Sequence, residues 1–404
     1  MTLPSTPPTL LPGRANKLVE LVPAPAITGL PSPRTKPPWG HLSRWTGDSL
    51  GLLEEGGQLG PMFSLRLWRP AIVGYTPDWN RFVLGDLVGF RSRGSLSQLS
   101  PYLSAGLVAT DAPEHRARRA EVNPAFHRKQ VTRQFAEAFA ARSVEHLPPA
   151  GEFDAVAWSS ALIRRFIRDS FLGSGFPTAV LDSFLAPLDM PMPGPLLRRP
   201  IRIRRMNRAL QEAFAQPQQG TLAPMFAALP GGIDEARVAV AAAYDTTAHA
   251  LAFALWELAS RPDLNDAEAT SLVVDEALRL YPSGWIGSRV ATVDTSFAGH
   301  PIPAGRMVLY SPYLTHRSPE LWPDPLAFRP ERFTEPLPAW GYIPFAAGER
   351  TCLGSALATT MLRAAIGAFA DSGLRRVSGD GRPRGGLTLS PRGPLVLHRI
   401  VPAH

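Results

Sequence analysis

The 404-residue chain has a single cysteine, Cys352. One thiol excludes an internal disulfide framework and an ordinary cysteine-rich zinc site. Such sparing use fits a reducing compartment, so a cytoplasmic location is expected. Lysine is nearly as scarce: only Lys17, Lys36 and Lys129 occur, so 39 of the 42 basic residues are arginine. The net charge of +8 is scattered, without aromatic interleaving on one element, and this argues against a nucleic-acid partner. No uninterrupted apolar run approaches the ~20 residues of a membrane span. The N-terminal MTLPSTPPTLLPGRANKL lacks the basic-then-apolar layout of a secretion signal, and no membrane anchor is expected.

What is present is apolar residues at 45% and 43 prolines, enough for a large core cut by many loops. No internal repeat or linker divides the chain, so one domain over residues 1–404 is expected, with 1–35 a proline-rich lead-in. FSLRLW (63–68) and PAIVGY (70–75) read as a hairpin. Helical patterns cover 77–86, 113–146, 152–172, 177–186, 203–215, 266–281 and 355–371. The five prolines of APLDMPMPGPLLRRP (186–200) make that segment a loop or lid. The clearest element is 235–260, apolar all round and so a buried helix, with Asp234 as its expected N-cap and Pro262 beyond its end. The fold class is mainly α with small peripheral β-sheets.

The surroundings of Cys352 are particular. FAAGERTCLG (345–354) sets the thiol between Gly348 and Gly354, glycines that permit tight turning and close approach of a flat ligand. Arg350 places a positive charge two residues away, and the following helix aims its positive end at the sulfur, which favours thiolate. A buried thiolate needs a cation partner. Iron in a haem meets that need, and haem propionates need arginines.

FAAGERTCLG resembles the F-x-x-G-x-R-x-C-x-G signature of the cytochrome P450 family at its five fixed positions: Phe345, Gly348, Arg350, Cys352 and Gly354. The resemblance implies that Cys352 is the proximal iron ligand of haem b, that Phe345 packs near the sulfur and that Arg350 pairs with a propionate. Other segments resemble the family in the right order. EALR (276–279) is similar to its E-x-x-R, and FRPERF (328–333) to its meander motif. These imply a structural ion network of Glu276, Arg279 and Arg332. DAPEHRARRAEVNPAF (111–126) resembles the helix whose His and Arg, here His115 and Arg119, reach the propionates. Arg116, Arg118, Arg128 and Lys129 are expected to stay solvated as a docking face. Arg289 resembles a strand arginine with the same partner as His115 and Arg119.

AAYDT (242–246) is similar to the oxygen-activating A/G-G-x-D/E-T at Ala242, Asp245 and Thr246, while Ala243 stands where glycine is usual. Proton delivery suits a hydroxyl backed by a carboxylate, and the resemblance gives those roles to Thr246 and Asp245. His249 reads as a core histidine. The implied activity is insertion of one atom of O2 into a small or medium apolar substrate. No flavin or iron–sulfur segment is recognisable, so electrons are expected from a separate ferredoxin or flavodoxin with its reductase, and a monomer is expected. A peroxide-driven peroxygenase and a non-catalytic haem-thiolate sensor are the alternatives. The pocket is expected to draw on the lid, on SGWIG (283–287) with Trp285 near the haem edge, and on SPRGP (390–394), with Met190 and Met192 as adaptable walls. Tyr244 could face the pocket or turn away from it.

Overall fold

A computed structural model describes residues 29–401 except 36, 37, 191, 193, 265, 266 and 371. The lead-in lies outside the described residues as far as residue 28; its last part runs beside the first strand, where the Ser64 amide donates to the Pro31 carbonyl at 2.8 Å. The described chain is mainly helical with small sheets.

The hairpin forms as Met62–Arg66 against Pro70–Gly74, with Phe63 opposite Val73 and Leu65 opposite Ala71. It joins a five-stranded sheet. Pro70–Gly74 pairs in parallel with Met307–Tyr310, which is antiparallel to Gly287–Ala291, and Phe90–Arg91 closes the far edge. Gly151–Asp154, Val396–Ile400 and Gly373–Ser378 make a second sheet, and Pro383–Gly385 with Leu389–Pro391 a short hairpin. Helices Leu42–Gly47, Ser49–Leu59 and Ala223–Ala228 have no counterpart in the sequence reading. Two of the three are only six residues long, too short to show a helical period.

The central helix runs from Gly232 to Leu258, 27 residues, about 40 Å. It is long and apolar enough to cross a membrane, but 72% of its apolar window is buried, which marks it as a core helix. Its start corrects the expected cap. Gly231, with φ of 70°, occupies the N-cap position, and Asp234 sits in the first turn paired with Arg237 at 2.8 Å. A left-handed residue is needed to reverse the chain after Pro230, and glycine takes that conformation without strain. A Cβ on the next residue, Gly232, would lie 1.7 Å from the Phe226 carbonyl oxygen, so the helix begins jammed against its predecessor.

The expected helix 113–146 is two, Glu114–Phe126 and Arg128–Glu145. Pro124 cannot donate to the preceding turn, and the chain breaks at His127, whose ψ is 136°. The first of these, the basic helix, carries His115 and Arg119. The last helix, Ser355–Gly367, packs along Arg128–Glu145 and the central helix. Glu276 and Arg279, on helix Ala267–Leu280, have no exposed surface. Arg279 donates to Glu276 through Nε (2.6 Å) and an Nη (2.8 Å), and to the carbonyls of His316, Pro325 and Ala327. The same carboxylate accepts from Arg332 Nε at 3.2 Å and from the Arg329 amide at 2.8 Å. The irregular stretch before the cysteine loop is thereby tied to the helical core.

Candidate functional site

The cysteine loop is shaped by its backbone. The Cys352 amide donates to the Phe345 carbonyl at 2.8 Å, closing a turn through Ala346, whose φ is 56°. Gly348 has φ of 68°, and a Cβ there would stand 2.3 Å from the Leu84 carbonyl oxygen. Both conformation and space therefore require glycine at 348. Gly354 differs: its φ of −82° suits any residue, and a Cβ would meet only Cys352 Sγ, at 3.9 Å. Glycine there keeps the sulfur's flank clear; it does not make the turn.

Cys352 is exposed in surface area, because it lies on the wall of a cleft of about 750 Å³ shared with Arg119, Phe345, Thr351 and Leu353. Protein still surrounds the sulfur closely, and desolvation raises the thiol pKa against the opposing Gly354 N–H and Arg119 charge. The helix end alone therefore does not secure a thiolate, contrary to the sequence expectation. A cation at the sulfur would reverse the balance.

Four basic side chains from three elements converge nearby. His115 and Arg119 come from the basic helix, Arg289 from strand Gly287–Ala291 and Arg350 from the loop. Burial, then the charges of Arg350, Arg119 and Arg289, push the His115 pKa down to about 4. His115 is 2% exposed and its Nδ1 has no hydrogen-bond partner. Burial and Arg289 lower Arg350 to about 10, with Asp111 opposing. Asp111 is the carboxylate in direct contact with the group, accepting from Arg350 at 2.7 Å. Arg119 donates to the Thr351 carbonyl at 2.7 Å and Arg289 to that of Ser288 at 2.7 Å. So many cations with so little counter-charge, and one orphaned ring nitrogen, fit a ligand that brings two carboxylates.

The central helix carries an accessible stripe of its own. Between Glu235 and Ala248 the residues not buried are Ala239, Ala242, Ala243 and Thr246. Spaced i, i+3, i+4 and i+7, they form one stripe, and an accessible small-residue stripe inside a core helix lines an internal space. Thr246 donates its hydroxyl to the Ala242 carbonyl at 2.6 Å. Asp245 lies off the stripe, 3% exposed. Its Oδ2 accepts from Thr388 Oγ1 at 2.6 Å, and its Oδ1 lies 3.3 Å from His249 Nδ1. Burial first, then the more distant Asp189, raises its pKa, and His249 and Thr388 lower it.

Asp245 and His249 line a second cavity, of about 1260 Å³, with Met190 and Met192 of the lid, Thr388 and the turn 390–393. Tyr244 does not line it but bonds two residues that do, Asp189 and Arg164. Fully buried, it donates to Asp189 Oδ1 at 2.7 Å and accepts from Arg164 at 2.6 Å, and Arg164 also reaches Asp189 at 2.5 Å. Trp285 does not line this cavity; its indole donates to the Gly386 carbonyl at 3.2 Å and packs on Trp45. Arg116 and Arg118 are not free either. Arg116 grips Glu349 at 2.6 and 2.7 Å, and Arg118 bonds the buried Glu235 at 2.8 Å. Arg128 and Lys129 are exposed. Sequence reasoning did not find Asp111, Arg164, Asp189 and Thr388 as members of these clusters; Asp111 and Asp189 lay in quoted stretches, one with His115 and the other in the lid.

The residues present fit a haem: a thiol at a helix end, a basic cluster for two propionates, and a small-residue helix face. Comparisons with known proteins agree. A sequence model described as Cytochrome P450 matches residues 263–369. A putative cytochrome P450 139 of Mycobacterium tuberculosis is 27% identical over 74% of this chain and 86% of its own length. A cyclooctat-9-en-7-ol 5-monooxygenase of Streptomyces melanosporofaciens is 27% identical over 83% and 87%. The crystal structure of CYP175A1 from Thermus thermophilus superposes with a TM-score of 0.76 at 26% identity, over 89% of this chain and 97% of that one. The chain belongs to the cytochrome P450 family and is a P450 monooxygenase.

Proposed function

We propose that this enzyme uses haem b to insert one atom of O2 into an apolar organic molecule of small or medium size, drawing electrons from a separate ferredoxin or flavodoxin and its reductase. The observation that carries the reading is the convergence of His115, Arg119, Arg289 and Arg350 on the cysteine loop with Asp111 as their close counter-ion. Two propionates would neutralise that group and give the orphaned His115 nitrogen a partner. Cys352 would hold the iron from the helix-end side. Gly348 and Gly354 would keep backbone and sulfur flank close to the ring, Phe345 would cover the thiolate, and Ala242 would line the opposite face. Bound there, a haem-thiolate group supplies the means of reducing and cleaving O2.

The chain's own contribution is protons and enclosure. Thr246 presents a hydroxyl on the accessible stripe, and Asp245 is the carboxyl beside it that supplies protons. Burial holds the Asp245 pKa up, which suits a group that must carry a proton before giving it away. Ala243 puts a methyl where the family usually has none, narrowing the stripe. Met190, Met192 and Leu188 give the lid side of the cavity apolar walls. Exposed Arg128 and Lys129, close to the cysteine-side cleft, support docking of an acidic electron donor.

Cys352→Ser tests the centre of this reading. The reduced wild type under carbon monoxide is expected to show the shifted Soret band of thiolate ligation, and the variant to lose it; an unchanged band in the variant overturns the assignment. Turnover with a surrogate reductase and ferredoxin, set against turnover with hydrogen peroxide, distinguishes a monooxygenase from a peroxygenase.

A further inference from the structure

Asp245 cannot meet bulk water itself, because it is 3% exposed. A group that gives protons away must be reloaded, and two neighbours outside the recognised motif share its cavity wall, of which His249 is the more open, with 13% of its side chain exposed against 4% for Asp245. Thr388, in the loop of the hairpin Pro383–Pro391, donates its only hydroxyl hydrogen to Asp245 Oδ2 at 2.6 Å. Its oxygen then has only lone pairs to offer. His249, one turn beyond Asp245 on the central helix, holds Nδ1 at 3.2 Å from that oxygen. Two groups without hydrogens would repel at this distance, so Nδ1 is the protonated nitrogen and donates to Thr388. His249 Nδ1 also lies 3.3 Å from Asp245 Oδ1, but that oxygen has no hydrogen-bond partner, so the hydrogen-bonded route is His249 Nδ1–H to Thr388 Oγ1–H to Asp245 Oδ2. His249, Thr388 and Asp245 are all among the residues of the 1260 Å³ cavity, with Arg164, Asp189 and Arg384.

We propose that His249 and Thr388 reload Asp245 with protons from the lid-side cavity. The inference rests on the reading that Asp245 and Thr246 deliver protons. In each transfer the Nδ1–H bond breaks as a new Oγ1–H bond forms on Thr388, and the hydroxyl's former hydrogen moves to Asp245 Oδ2. Nε2 of His249 takes one proton from cavity water in exchange. One proton has then left solvent and one has arrived on the carboxyl, with no change in the charge of the ring. Exchange with cavity water returns the imidazole to its Nδ1–H form. His249 and Thr388 act through Asp245 and touch no reacting atom.

The experiment has a spectroscopic and a kinetic arm, both on the haem-loaded enzyme. Nitrogen-15 NMR of histidine-labelled protein in its reduced, carbon-monoxide-bound state, assigned with His249→Gln, reads which ring nitrogen carries hydrogen. An Nδ1–H form is expected; a bare Nδ1 overturns the route whatever the kinetics show. In turnover, Thr388→Val and His249→Gln are expected to lower kcat roughly tenfold, a small part of the 10²–10⁴ that positioned proton transfer contributes. KM is expected to hold and the solvent deuterium isotope effect on kcat to rise. Thr388→Ser keeps the hydroxyl and is expected to recover the rate, which a purely packing role for Thr388 would not explain. Wild-type kcat and isotope effect in Thr388→Val, with Thr246→Ala diverting electrons to peroxide, overturn the relay and leave the parent reading standing. If Thr246→Ala also couples normally, the parent reading falls with it.

Discussion

His316 shows how one side chain can carry a pH dependence. It is fully buried, with Nδ1 3.0 Å from the Arg279 carbonyl and Nε2 accepting the Ile343 amide hydrogen at 2.9 Å. Nδ1 must therefore carry the proton and Nε2 must not. Protonating Nε2 would set hydrogen against hydrogen, and burial, assisted by Arg279 and Arg317, holds the pKa down to about 3. An unfolded histidine titrates near 6.5, so below that pH the unfolded chain gains a proton that the folded one refuses. The contribution is whole above pH 6.5 and is lost as pH falls towards 3. Between pH 6.5 and 5 the loss is about 2 kcal/mol. Urea denaturation at those two pH values reads it, and His316→Gln is expected to flatten the difference.

Among the elements, the lid (186–200) is the segment whose composition most resists regular structure, and it is fastened at a definite point. Asp189 meets Tyr244 of the central helix and Arg164 of helix Ala155–Ile167. Tyr244 directly precedes Asp245, so the fastening and the proton carboxyl share a turn. Hydrogen bonds to charged groups contribute about 1.5–3 kcal/mol each, and 1.4 kcal/mol is a factor of ten in an opening equilibrium. Tyr244→Phe removes the hydroxyl and little else. Tryptic cleavage after Arg198 is expected to accelerate roughly tenfold or more, while cleavage elsewhere keeps its rate. Unchanged cleavage in the lid would show that the cluster does not hold it.

At the scale of the whole molecule, the Glu276, Arg279 and Arg332 network joins helix Ala267–Leu280 to the irregular stretch that ends in the cysteine loop. Arg279 and Arg332 also stack over the Trp322 ring, at 5.4 and 5.9 Å. Removing one partner of such a network leaves a buried charge unpaired. Arg279→Ala is expected to destabilise the fold by about 3–5 kcal/mol, measured by denaturation, and to impair haem loading as the loop loses its support. A variant as stable as wild type would show that the network is not a structural tie.

What the sequence determined by itself was local. FAAGERTCLG, EALR, FRPERF and AAYDT are short strings, and it was their resemblance to the family's motifs, in the right order, that pointed to Cys352, Glu276, Arg279, Asp245 and Thr246. The central helix was legible because its apolar surface has no polar side, although its cap was not, since a left-handed glycine replaces a side-chain cap. The tertiary structure alone decided which distant groups meet. Thr388 reaches Asp245 across 143 residues, Arg164 reaches Tyr244 across 80, and Arg350 reaches Asp111 across 239. No periodicity links such positions, because a hydrogen bond between packed elements depends on how helix, hairpin and loop settle together. The ion pairs of Arg116 and Arg118 were hidden for the same reason: Glu349 and Glu235, which they grip, lie far along the chain and come near only when the core closes.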